Sequence, residues 1–292
     1  MTVSATPATL RWQCSQCGAG LAMADAVLSC ARCGFTIARQ DDIWLAAPSF
    51  RPSGFTVDRR DHLAEIETHH FWFAARQRLL DELLRRVVGP RRAAIELGCG
   101  GGTFLRHLAT LFTTIVGVDA YEQSLASARS RAPAATLVQA DACRVPFGDG
   151  AFDLVAMLDV LEHVAPDLLL AEAARLLGCG GHLLLSVPAS RALSSELDVT
   201  MGHRCRYSLT QLNDELQRTG FRLLHHTHYQ FVLFPLIWLA RRAALASVRR
   251  SERHPPRAVG AALAAVNRAE VRWLGRRSLP WGSSLVAVAV KS

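Results

Sequence analysis

Four times between residues 94 and 159 a short apolar run reaches an acidic side chain. The runs are Ala94-Ile95 to Glu96, Thr114 through Val118 to Asp119, Thr136 through Ala140 to Asp141, and Phe152 through Leu158 to Asp159. A fifth run, His182 to Pro188, follows, and Phe221–Leu224 and Leu285–Val290 read as two more. Short apolar runs bounded by turn residues read as buried strands. Ala165 to Leu177 has helical spacing instead, with Gly178, Gly180 and Gly181 as its stop. Strands alternating with helices require a parallel sheet covered on both faces. Ligands then sit at the carboxyl ends of the strands, where Glu96, Asp119, Asp141 and Asp159 all fall.

The first of these runs continues as Leu97-Gly98-Cys99-Gly100-Gly101-Gly102-Thr103-Phe104. A Gly-x-Gly-x-Gly turn lets backbone amides approach a ligand, because glycine has no Cβ and tolerates positive φ. The next helix is expected to open with its free N–H groups facing that ligand. Asp119, about 20 residues on at the tip of the next strand, is placed to take both ribose hydroxyls. Asp141 is placed to accept from an exocyclic amine such as that of adenine.

The set resembles the class I S-adenosylmethionine-dependent methyltransferases that act on small molecules, quinones and lipids. Glu96 through Gly102 matches the first family motif and Val118-Asp119 the second. Asp141-Ala142 matches the adenine-side position, with Val145-Pro146-Phe147, Phe152-Asp153-Leu154-Val155 and Leu176 through Leu183 after it. The resemblance covers roughly Asp58 to Gly220 and the last strand. It implies a Rossmann-like α/β fold with a seven-stranded sheet and helices on both faces. It also implies S-adenosylmethionine held by Glu96, Gly98, Cys99, Gly100, Gly102, Asp119, Ala120, Asp141, Ala142 and Leu158. A further stretch, Glu67 to Arg76, opens an amphipathic helix to about Val88. In relatives with a similar His-Phe-Trp-Phe-x-x-Arg stretch this helix covers the cofactor, so Trp72 and Arg76 are expected to close over its methionine end, Arg76 on the carboxylate.

Cysteine spacing adds a second module. Cys14-x-x-Cys17 and Cys30-x-x-Cys33 are separated by 12 residues and each is followed by glycine, which is the spacing of a zinc ribbon. With four sulfur ligands such a Zn2+ is structural. The expected organisation is a zinc ribbon over 1–47, a linker over 48–57 and the methyltransferase domain over 58–292, with a helical arginine-rich insertion over 226–280. Eight cysteines among 292 residues are too sparse for a secreted disulfide scaffold. No charged leader with an apolar core opens the sequence, so a cytoplasmic protein is expected.

The net charge of +8 is local. Arg241 to Arg277 holds ten arginines against Glu252 and Glu270, so the rest of the chain is about neutral. Just before it, Phe231 to Ala240 is apolar but too short to span a bilayer. Segment 231–250 is either an interfacial contact with an anionic membrane, or a helical cap over the site or a dimer contact with the arginines as its solvated face.

For the chemistry, Asp159, Glu162 and His163 converge at the end of the fourth strand, and His203 lies in the loop after the fifth. Ser208 is the expected N-cap of the helix after it. Two carboxylates and two imidazoles form a candidate site for Mg2+ or another divalent cation. The arrangement resembles metal-assisted O-methyltransferases, which have Glu where this chain has Asp159. Without a metal, His203 or His163 serves as general base. The expected activity is SN2 transfer of the sulfonium methyl to a small-molecule or lipid-linked acceptor, at a hydroxyl. Two other readings stay open: an RNA methyltransferase using the ribbon, and a non-catalytic cofactor-binding adaptor.

Overall fold

The computed structural model describes residues 10–50, 71–89, 91–243, 257–274 and 278–292. Its strands are β1 (Ala22–Ala24), β2 (Val27–Ser29), β3 (Thr36–Gln40), β4 (Ile43–Leu45), β5 (Arg91–Leu97), β6 (Phe112–Asp119), β7 (Thr136–Gln139), β8 (Phe152–Leu158), β9 (Leu177–Pro188), β10 (Phe221–Tyr229) and β11 (Ser284–Lys291). They form one sheet in the order β1-β2-β3-β4-β7-β6-β5-β8-β9-β11-β10. The seven strands from β7 to β10 are the expected Rossmann-like set. Strands β7, β6, β5, β8 and β9 pair in parallel, and β11 runs antiparallel to both neighbours. The order reverses between β5 and β8, which is the switch point where an open α/β sheet makes its crevice.

The remaining four strands correct the picture of a ribbon hung on a linker. β1 to β4 form an antiparallel meander, and β4 adds to the edge of the large sheet in parallel with β7, Ile43 opposite Leu137 and Leu45 opposite Gln139. The sheet therefore has eleven strands, not seven. Side chains seal the seam. The Trp12 ring lies 4.7 Å from Phe147 and 5.3 Å from Trp44, and Leu10, Trp12, Leu28, Ile37 and Trp44 join the same buried cluster as Val138 and Phe152. The fully buried Gln139 donates to the carbonyls of Ala47 and Ala120 and accepts from the Ala47 N–H. Ribbon, β7 and the loop after β6 are thus held by one amide. Most of the proposed linker, 51–57, lies outside the described residues.

Alternation along β5 shows how the two faces are filled. Ile95 and Leu97 join one buried cluster with Val118, Val155, Leu185 and the inner sides of α4 (Pro166–Leu176) and α6 (Leu209–Arg218). Ala94 joins the other, with Leu79, Leu80 and Leu83 of α1 (Phe71–Leu83) and with α2 (Leu105–Leu108) and α3 (Glu122–Arg131). A π-helical turn, Leu84–Val88, extends α1 to the expected end. Its expected start, Glu67 to His70, lies outside the described residues.

Three elements differ from expectation. α2 is a single turn, so it supplies little of the expected ordered N-terminus after the glycine loop. β9 begins at Leu177, so Gly178, Gly180 and Gly181 end a helix and begin a strand together. β10 runs on to Tyr229, past Leu224; His225, His226 and His228 hide that continuation in the sequence. The insertion consequently begins after Tyr229, with α7 (Phe234–Ala243) and α8 (Arg257–Leu274). Between β9 and α6 lies the short α5 (Glu196–Thr200). Ser208 caps α6 as expected: its hydroxyl accepts from the Gln211 N–H and the Gln211 side-chain Oε1 accepts from the Ser208 N–H.

Candidate active site

The glycine turn is shaped by positive φ at Gly98 (76°), Gly100 (51°) and Gly102 (78°). A Cβ on Gly98 would lie 2.4 Å from Val160 Cγ2 and one on Gly102 2.8 Å from the Ala128 backbone, so packing as well as dihedral angle demands glycine there. The N–H groups of Gly98 and Cys99 both donate to the Val118 carbonyl. Asp119 completes the clasp: its two carboxylate oxygens accept from the Gly100 and Tyr121 N–H groups, each at 2.9 Å. A carboxylate oxygen has two acceptor positions, so ribose hydroxyls can add to Asp119 while it holds the loop. Glu96 is buried at the end of β5. Asp141 follows β7, where it accepts from the Cys143 N–H. Ala120 and Ala142 directly follow Asp119 and Asp141 after β6 and β7, and Leu158 ends β8, so these residues lie at the carboxyl ends of strands in one parallel set.

Asp153 has a different place from its motif neighbours. It sits at the amino end of β8 and accepts from the Arg92 and Ala93 N–H groups, which sets the register of β5 from the far side of the sheet.

Across the switch point, Asp159 departs from expectation. Its φ of 57° turns the chain out of β8. Its carboxylate accepts from Ser186 Oγ at 2.8 Å and forms an ion pair with the buried Arg76 of α1. Asp159 is not among the grouped ligand atoms, and one guanidinium nitrogen of Arg76 is paired with it. The Trp72 side chain lies outside the described residues.

The other three members do converge. One carboxylate oxygen of Glu162 and one ring nitrogen each of His163 and His203 lie within 4.8 Å of one another. The imidazole rings meet edge to face at 5.0 Å. Glu162 is 1% exposed, and among the described residues neither of its oxygens has a hydrogen-bond partner. Burial and the neighbouring Asp159 push its carboxyl well above the usual carboxylate range. Burial and the adjacent His203 bring His163 down to about 4, so it is a neutral imidazole at neutral pH.

His203 is placed by a residue with no signal in the sequence, Asp198 on α5. The His203 N–H donates to the Asp198 carbonyl at 2.9 Å and its Nδ1 lies 3.4 Å from Asp198 Oδ1. The same carboxylate takes a bidentate pair from Arg206 (Nε at 2.9 Å, Nη2 at 2.6 Å) and stands 3.4 Å from Arg241 Nη1 of α7. Burial alone would raise Asp198, but the hydrogen bonds from His203 and Arg206 and the charges of Arg206 and Arg241 hold it below the usual carboxylate range. The loop is also stitched to the cluster directly, the Arg204 N–H donating to the Glu162 carbonyl.

At the other end of the sheet, Cys14, Cys17, Cys30 and Cys33 bring their sulfurs within 4.8 Å of one another, with Cys14–Cys33 and Cys17–Cys30 at 3.5 Å. Tetrahedral Zn–S bonds of about 2.3 Å imply sulfur separations of roughly 3.8 Å. The cluster fits zinc.

Comparison with known proteins agrees with this geometry. Residues 95–185 match the methyltransferase domain family. A probable S-adenosylmethionine-dependent methyltransferase of Mycobacterium tuberculosis is 26% identical over 179 residues, 60% of this chain and 65% of the relative. A ubiquinone biosynthesis O-methyltransferase of Parvibaculum lavamentivorans is 30% identical over 165 residues, 54% of this chain and 62% of the relative. The chain thus spans somewhat under two thirds of the length of these relatives. Among solved structures, the methyltransferase in complex with the Trm112 activator from Haloferax volcanii superimposes with a TM-score of 0.56 at 21% identity, over 83% of this chain and 99% of that one. Residues 95–185, at the centre of the chain, are thus similar in sequence to the methyltransferase domain family, and strands β5 to β11 share the Rossmann-like fold of that solved structure.

Proposed function

We propose that the chain transfers the sulfonium methyl of S-adenosylmethionine to a hydroxyl of a small-molecule or lipid-linked acceptor. The Gly98–Gly102 turn, Glu96, Asp119 and Asp141 would hold the donor, and Glu162, His163 and His203 would meet the acceptor. The carrying observation is the Glu162 carboxylate, buried beside two imidazoles just past the end of β8 and without a hydrogen-bond partner among the described residues. An unsatisfied buried carboxylate is costly, and pairing with a proton donor or cation from the acceptor side relieves it. The relative acting in ubiquinone biosynthesis supports an oxygen acceptor.

In this reading His203 takes the hydroxyl proton, with Asp198 and Arg204 fixing its loop. The neutral His163 packs edge-on against His203 and bounds its motion. Most of the rate would come from alignment of oxygen, methyl and sulfur in line, and from excluding water. The same three side chains fit a divalent cation; when bound, such an ion would lower the pKa of the hydroxyl. The cysteine cluster would hold a structural Zn2+ that fixes the ribbon against β7.

Calorimetry with S-adenosylhomocysteine tests the donor half. Wild type is expected to bind, and Asp119→Ala to bind roughly tenfold or more weakly, the loss of about 1.4 kcal/mol of hydrogen bonding. No binding by wild type, or equal binding by the variant, refutes it. For the acceptor half, His203→Ala should abolish S-adenosylhomocysteine release with a phenolic acceptor while keeping donor affinity. Turnover that survives both this substitution and dialysis against chelator rules out both forms of the mechanism.

A further inference from the structure

Helix α7 is turned inside out for a helix at a water surface. At 100° per residue, Leu233, Phe234, Ile237 and Arg241 occupy one arc and are buried or half-buried. The opposite arc, roughly 160° wide, carries Pro235, Leu236, Trp238, Leu239 and Arg242, all exposed. Leu236 is 54% and Leu239 59% exposed, and Val232, one turn before, 56%. Arg242 stands over the Trp238 ring at 5.3 Å. Trp281, itself exposed, packs on Phe231 at 4.7 Å and widens the apolar area at the start of the helix.

The placement of charge says what covers this face. The one cation on the buried arc, Arg241, is spent inward on the Leu193 carbonyl, Ser195 and Asp198. Arg242 points outward beside tryptophan, and the sequence from 241 to 277 carries ten arginines against two acids. An outward leucine and tryptophan face that carries Arg242 and is followed in the sequence by an excess of arginine is the pattern of a helix lying in a lipid interface. RNA would be met by stacked aromatics along a basic groove, whereas here leucine and valine dominate. At ten residues α7 is about 15 Å long, half a hydrocarbon core, and no described helix is long and apolar enough to cross a membrane.

We propose that α7 is a docking face for an anionic lipid surface, with Leu236, Leu239, Trp238 and Val232 entering the headgroup boundary and Arg242 pairing with lipid phosphate. The inference goes beyond the methyl-transfer reading and does not require it. Where both hold, Arg241 joins the docked helix to the Asp198 carboxylate beside His203, so a lipid-linked acceptor would arrive at the loop that the docking helix steadies.

Flotation of the full chain with vesicles tests the proposal, using phosphatidylcholine alone or mixed with phosphatidylglycerol. At low salt the chain should partition at least roughly tenfold better onto the anionic vesicles, since each basic residue near such a surface contributes about one factor of five or more. Leu236→Asp with Leu239→Asp should cut that partition roughly tenfold or more. Melting temperature and S-adenosylhomocysteine affinity should be unchanged, because both positions face outward. Leu236→Ser with Leu239→Ser is a gentler pair should the first misfold, and Arg242→Glu should weaken binding to anionic vesicles alone. Failure of wild type to float with anionic vesicles overturns the proposal, as does equal flotation of the leucine variants. A concentration-dependent dimer, or an RNA complex, that forms without any vesicle binding overturns it as well.

Discussion

Asp198→Asn is the substitution that best tests how the region around the histidines is held together. The Asp198 side chain is 11% exposed and faces three cationic or protonatable groups: Arg206 in a bidentate pair, Arg241, and His203. Arg206 is itself 5% exposed, with its third nitrogen on the Ala189 carbonyl. Asparagine keeps the shape but removes the charge, leaving a buried guanidinium whose counter-ion is gone. Breaking a buried pair from one side costs about 3–5 kcal/mol. Near 2–4 °C per kcal/mol for a chain of this size, the melting temperature should fall by roughly 10 °C.

Urea titration across pH separates this from simple loss of packing. Because Asp198 is held below its unfolded value of about 3.9, its stabilisation is fully present above that value. It is lost as pH falls through the lower, folded value. The difference between wild type and Asp198→Asn should therefore be flat from neutrality to about pH 5 and shrink in stronger acid. A variant within about 1 kcal/mol of wild type at pH 7, or a difference that grows on acidification, would refute the reasoning.

Two further outcomes follow from the packing. Gly98→Ala must hold a left-handed backbone, a cost of about 1–2 kcal/mol, and must displace Val160; loss of S-adenosylhomocysteine affinity by roughly tenfold should appear in calorimetry, and unchanged affinity would count against the turn as the donor cradle. Trp12→Ala opens the seam between ribbon and β7, so chemical denaturation should show destabilisation of about 3–5 kcal/mol together with faster amide exchange in β7, whereas a ribbon that unfolds alone with β7 still protected would show the two parts to be independent.

The strand ends proposed for the donor were legible because each is marked locally. Glu96, the glycines, Asp119 and Asp141 each sit at a strand end, and strand ends are marked by the change from apolar to turn residues. The capping box at Ser208 was legible for the same reason, since the pair it needs lies within one turn. What the sequence concealed depends on contacts distant along the chain. Nothing in Ile43-Trp44-Leu45 announces that it pairs with Leu137 to Gln139, and Gln139 looks like any strand residue until Ala47 and Ala120 are found around it. Asp159 illustrates the other limit. Spacing put it with Glu162 and His163, but its positive φ and the approach of Arg76 from α1 decide where its charge goes. Asp198 left no mark at all, because its three partners come from the following loop and from a helix more than forty residues later.

The addition of β4 to β7 also bears on solubility. A parallel sheet ends in a row of open N–H and C=O groups, and such an edge templates association with other chains. Here the outermost strand is instead β1, three residues long and exposed throughout, which offers little to pair with. The ribbon is in this sense a cover for the edge of the sheet. Fragments cut at the start of α1 would uncover β7, and their aggregation should be read as the exposure of that edge and not as a failure of the Rossmann-like core to fold.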